Sequence, residues 1–148
     1  MNFFLDTSIC VDVLRTKGAQ KSFELFESFE RGNTGYISVI TVAELSAGAS
    51  LSPLRDAASK TEELLAHVQI IELTETIAID GGKIYASLSK AGIKIEFNDC
   101  LIAATARSLG MSEIVTRNID RFNRITGLPR LFLRNLNFNF SRRIVPAK

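Results

Sequence analysis

The chain has 148 residues, 46% of them hydrophobic, and a net charge of only +2, which suits one core-forming domain and leaves too little chain for two. Two cysteines outside any C-x-x-C pair and a single histidine, His67, argue against a zinc site, a disulfide framework or a Ser-His-Asp hydrolase, so carboxylates must carry any chemistry. No run approaches the roughly 18 apolar residues of a membrane span, and Asp6 interrupts the start where a secretory leader would be apolar; a soluble, cytoplasmic protein with no membrane partner is expected.

Asn2-Phe3-Phe4-Leu5 is short and apolar enough for a buried strand and is stopped by Asp6-Thr7-Ser8, a trio that favours a helix start. Helices are predicted over 8–15 and 20–30, the second with Phe23, Leu25 and Phe26 on one face and Arg31-Gly32-Asn33 as its stop. A second strand spans 36–39, and helical patterns follow over 41–47, before Gly48, and over about 53–67. A buried strand at 68–72 leads into helices over 75–90, despite Gly81-Gly82, and over 98–109; a short strand at 113–115 then reaches Thr116. Alternating strands and helices imply an α/β fold with a mostly parallel sheet covered by helices. One domain is expected over 1–134, and 135–148 read as a basic C-terminal arm.

Charge is uneven. Residues 117–148 hold eight Lys or Arg against the single acid Asp120, so this segment is +7 and the remainder −5. Arginine makes forked contacts with phosphate oxygens, which makes Arg117, Arg121, Arg142 and Arg143 candidates for binding a polyanion. An acidic protein partner or a merely solvated tail would also account for the bias.

In an open parallel sheet, ligands bind beyond the carboxyl ends of the strands, and several acids are expected there. Asp6 follows the first strand; its other role would be helix capping, which Thr7 or Ser8 could equally perform. Glu44 lies one turn beyond the second strand, although Thr41 and Glu44 also fit the Thr-x-x-Glu spacing of a capping box. Asp99 opens the alanine-rich helix Asp99-Cys100-Leu101-Ile102-Ala103-Ala104, where the helix dipole favours its charged form. An ionised carboxylate suits magnesium, a hard cation that takes oxygen ligands. Glu96 could join as a direct or water-mediated ligand, or be a loop charge. Thr116 and Asn118 offer neutral oxygens and donors after the last predicted strand, or else form a turn and cap. Asp120 is either a fourth acid of the site or a first-turn charge.

Taken in order, Phe4-Leu5-Asp6-Thr7-Ser8, Thr41-Val42-Ala43-Glu44-Leu45, Asn98-Asp99-Cys100-Leu101-Ile102-Ala103-Ala104 and Thr116-Arg117-Asn118 resemble the signature of the PIN-domain family, and within it the VapC-type toxins. Residues 122–131 resemble the segment that closes such domains. The resemblance implies a three-layer α/β/α sandwich, RNA cleavage with Mg²⁺ or Mn²⁺, a homodimer and a cognate antitoxin. It also implies that Asp6, Glu44 and Asp99 are the catalytic acids that hold the metal, with Thr7, Thr116 and Asn118 in support, and that the polyanion met by Arg117, Arg121, Arg142 and Arg143 is RNA. The sequence departs from the pattern where family members often carry an acid just before the last phenylalanine: Arg121 stands there, with Asp120 one place earlier as the possible extra metal ligand. A non-catalytic RNA- or protein-binding member of the same fold is the competing expectation. The face of the early helices around Phe23, Phe26 and Phe29 is the expected dimer surface.

Overall fold

A computed structural model describes residues 1–15, 17–111 and 114–125, and the backbone of 130–132. The elements in chain order are β1 (Asn2–Leu5), α1 (Thr7–Leu14), α2 (Gln20–Phe29), β2 (Thr34–Ser38), α3 (Val39–Leu51), α4 (Ala57–Leu65), β3 (Gln69–Ile71), α5 (Glu75–Lys90), α6 (Phe97–Ser108), β4 (Ile114–Thr116), α7 (Ile119–Phe122) and β5 (Arg130–Phe132). The strands form one five-stranded sheet in the order β3-β2-β1-β4-β5, and every pairing is parallel.

Alternation along the strands divides the core into two layers, because successive side chains of a strand point to opposite faces. Phe4 and Ile114 enter one layer with Ile84 and Leu88 of α5, Ile102 and Ala103 of α6, and Phe122. Phe3, Leu5 and Val115 enter the other with Ile9 of α1, Leu25 of α2, Leu45 of α3 and Leu64 of α4. The sheet is therefore covered on both faces, as the expected α/β/α sandwich requires. Gly81 is tolerated inside α5 because α6 comes so close: a Cβ there would lie 2.7 Å from Leu101 Cδ2. Among the described residues, no helix is long and apolar enough to cross a membrane.

Several local expectations shift. Helix α3 begins at Val39, capped by Ser38, whose Oγ accepts from Ile40 N, so Thr41 and Glu44 are not a capping box and their side chains are free for other work. Helix α4 starts only at Ala57, and β5 was not anticipated as a strand. Phe23, Phe26 and Phe29 are half-buried rather than an exposed face, with Phe26 and Phe29 packed on the second core layer. The expected arm at 135–148, with Arg142 and Arg143, lies outside the described residues.

Candidate active site

β1 sits at the centre of the sheet, with β2 on one side and β4 on the other. Consecutive connections diverge at that point, leaving a crevice beyond the carboxyl ends of β1 and β4. Asp6 is the first residue past β1 and Thr116 the last of β4.

Asp6 is 4% exposed. It stands at the N-cap of α1 but makes no side-chain capping bond. Instead its Oδ2 accepts from Ser8 Oγ at 2.7 Å and from Thr116 Oγ1 at 2.9 Å, which fixes the rotation of the carboxylate. Thr116 is buried and its Oγ1 also accepts from Asn118 N at 2.9 Å. Glu44 projects from α3 and is half-buried. Its Oε2 takes a short hydrogen bond from Thr7 Oγ1 and its Oε1 accepts from Asn98 Nδ2 at 3.3 Å. Because a hydroxyl has one proton, Thr41 Oγ1 must be the donor in its 3.0 Å bond to Thr7 Oγ1. A relay from α3 through α1 thus holds Glu44.

Asp99, in the first turn of α6, is 4% exposed, and its Oδ2 is a buried oxygen with no hydrogen-bond partner among the described residues. Arg121 Nη1 lies 3.7 Å from it. Burial pushes the Asp99 carboxyl up to about 6; Arg121 opposes the shift, and Asp6, Glu44 and Glu96 add to it. Burial likewise raises the thiols of Cys10 and Cys100, to about 12 and about 11. Both are free and buried, as expected of packed thiols without reactivity.

Asp6, Glu44, Asp99, Thr7, Ser8 and Asn118 line one open cleft of about 750 Å³, together with Arg15, Arg117 and Arg121. Glu96 and Asp120 do not line it; they face an adjoining hollow of about 550 Å³ that shares Asp99 and Arg121 with the cleft. Arg117, expected to contact RNA, is tied to Asp12 of α1 by a short ion pair. His67 lies elsewhere, in an apolar groove with Leu14, Phe23, Phe26 and Leu64. Sequence reasoning missed Arg15, Asp12 and Asn98 as contributors, and only Asn98, next to Asp99, carried a signal that could have found it.

Among the described residues, no three His, Cys, Asp or Glu side chains stand close enough to enclose one ion. The donors nonetheless fit a hard cation. All are oxygens, one of them has no donor among the described residues, and magnesium typically uses one or two carboxylates and keeps several waters.

Comparisons with known proteins give the family. Residues 3–128 match the PIN domain. Ribonuclease VapC2 of Haemophilus influenzae is 36% identical over 132 residues, covering 86% of this chain and 95% of that protein. The tRNA(fMet)-specific endonuclease VapC of Shigella flexneri is 34% identical over 134 residues, with the same coverage of 86% and 95%. In structure, a chain of VapBC2 from Rickettsia felis, bound to a DNA fragment from its promoter, superposes with a TM-score of 0.78 at 32% identity, covering 89% of this chain and 98% of that one. The sheet order, the cleft at its switch point and these likenesses together make the chain a member of the PIN-domain family, on its VapC branch.

Proposed function

We propose that the chain is a metal-dependent endoribonuclease, the toxin of a toxin–antitoxin pair, which hydrolyses RNA phosphodiester bonds. The observation that carries this reading is the convergence of Asp6, Glu44 and Asp99 on one cleft, with a buried Asp99 oxygen that accepts no hydrogen bond among the described residues. Asp6, Glu44 and Asp99 would together hold Mg²⁺ or Mn²⁺, one or two of the carboxylates directly and the remainder through the cation's retained waters, and Asp120 and Glu96, across the adjoining hollow, would add a ligand or order water. When bound, such a cation supplies positive charge for the phosphoryl oxygens and makes water a better nucleophile at neutral pH.

The protein's own groups do the positioning. Ser8 and Thr116 orient Asp6, and Thr7 and Asn98 orient Glu44. Asn118, exposed at the cleft edge, is free to donate to the substrate. Arg121, together with Arg142 and Arg143 of the basic segment, would meet RNA phosphates, making activity sensitive to salt. Without the cation the clustered carboxylates repel phosphate. RNA would be read in unpaired or loop regions, since side chains cannot read the deep groove of an RNA duplex. A cognate antitoxin, in keeping with the likeness to a chain of VapBC2, and a cytoplasmic homodimer complete the proposal.

The test is cleavage of total RNA, and of initiator tRNA, by purified antitoxin-free protein in Mg²⁺, Mn²⁺ or EDTA, beside Asp6→Asn. Metal-dependent cutting that the variant loses is expected. No cutting in any metal would overturn the proposal and leave a binding module.

A further inference from the structure

Asp12 is an acid that the proposed chemistry does not use, yet it is 1% exposed. A buried carboxylate needs compensation, and it comes from two directions. Ser22 Oγ of α2 donates to Oδ2 at 2.9 Å, and Arg117 Nη1 donates to Oδ1. The start of α2 is drawn tightly onto α1: a Cβ on Gly18 would overlap the Asp12 carbonyl, which brings Ser22 within reach. Arg117 is the residue between Thr116 and Asn118 on the segment leaving β4. Its backbone N donates to Ser8 Oγ at 3.1 Å, and Ser8 Oγ donates to Asp6 Oδ2. Asp12 is therefore linked through the Arg117 side chain to that residue's backbone N, and from there by hydrogen bonds through Ser8 to the carboxylate of Asp6.

We propose that Asp12 and Arg117 are positioning residues that pin the segment after β4 to α1, so that Thr116 and Ser8 together hold Asp6 in one orientation. The pair also has an electrostatic effect. Arg117 lines the acidic cleft, and without Asp12 its cation could swing to the carboxylates there, much as Arg121 approaches Asp99 at 3.7 Å. Asp12 holds that charge at the side of the cleft.

The test compares wild type, Arg117→Met, Asp12→Asn and the double variant by thermal unfolding, by amide hydrogen exchange at Arg117 and Asn118, and by kcat and KM for RNA cleavage. Arg117→Met strands a buried charge and is expected to lower the unfolding temperature. The double variant removes that charge with its partner and is expected to regain most of the loss. Positioning predicts that kcat nevertheless stays about 10–100-fold down in the double variant, with KM little changed, and that both amides exchange faster. Recovery of kcat along with stability would make the pair merely structural and overturn the proposal. So would a raised KM with intact kcat and a shallower salt dependence in Arg117→Met, which would mark Arg117 as a phosphate contact. The kcat readout rests on the ribonuclease reading. If wild type itself fails to cut RNA, that reading fails separately and amide exchange decides the clamp, unchanged exchange in the variants overturning it.

Discussion

Replacing Asp99 by Asn is expected to move stability and activity in opposite directions. Asp99 is 4% exposed, its Oδ2 has no donor among the described residues, and its pKa rises from 3.8 to about 6, through burial first, against the opposing Arg121, and then through Asp6, Glu44 and Glu96. The folded state thus binds this proton more tightly than the unfolded state. Between the two values stability rises as pH falls, and above about pH 6 the ionised group penalises folding in full. One pKa unit corresponds to about 1.4 kcal/mol, so the cost at pH 7.5 is at most about 3 kcal/mol, and about 1–3 kcal/mol once water entering the open cleft is allowed for. For a domain of this size that is roughly 3–10 °C in unfolding temperature. The assay is thermal and urea unfolding of both proteins in EDTA from pH 4 to 7.5. Asp99→Asn should be the more stable at pH 7.5, with the difference closing towards pH 4. Added Mn²⁺ should raise the wild type by mass action, raise the variant less, and restore RNA cutting only to the wild type. A variant less stable than wild type in EDTA at pH 7.5, or a difference that does not change with pH, would refute the reasoning.

Four further outcomes are expected. Asp6→Asn and Glu44→Gln should each reduce RNA cutting by more than about 100-fold, beyond the usual loss for residues that merely support ligands, while circular dichroism stays native; full activity would remove that residue from the mechanism. Asp120→Asn should be milder, and an unchanged Mn²⁺ affinity would assign it to the first turn of α7. Arg121→Ala removes the cation 3.7 Å from Asp99, so carboxyl NMR should find the Asp99 pKa higher still, with the salt slope of RNA binding reduced by about one. Replacing both Arg142 and Arg143 by Ala should weaken RNA binding at low salt and flatten the slope by up to about two; unchanged binding would exclude that segment from the RNA contact.

The parts of the fold that were legible in the sequence are those where one periodicity stands alone. Phe3, Phe4 and Leu5 read as a buried strand because a strand covered on both faces is apolar without interruption, and 75–90 read as a helix through two glycines because Ile77, Ile84 and Leu88 share a face. Boundaries were lost where two signals competed. Ser38 caps α3 from a position that looks like the end of a strand, and the polar stretch before Ala57 has residues compatible with either a helix start or a loop. At the site, the acids at strand ends could be read, since topology fixes where such ends lie. Asp12 and Arg15 could not, because on α1 and at its C-cap they follow no pattern that separates a cleft-facing charge from a solvated one. The partnership of Asp12 with Arg117 joins residues 105 positions apart, and no local rule foresees it.

Each acid of the trio could be taken for a helix-capping residue, and the structure explains why that ambiguity is built into the site. Asp6 occupies an N-cap and Asp99 a first turn, positions where a helix favours negative charge. Neither terminus is capped by a side-chain bond, and at α3 the capping falls to Ser38, leaving Glu44 to Thr7 and Asn98. The residue types that would cap a helix are thus the ones placed at the cleft, but their oxygens point to hydroxyls, to the Asn98 amide or, for Asp99 Oδ2, to no donor among the described residues. The helix ends lower the cost of gathering like charges, and what they leave uncompensated is carried by Asp99 as a raised pKa. A ligand that brings positive charge to that oxygen would relieve this cost on binding, so affinity for a cation and the strain of the free cleft have the same physical origin.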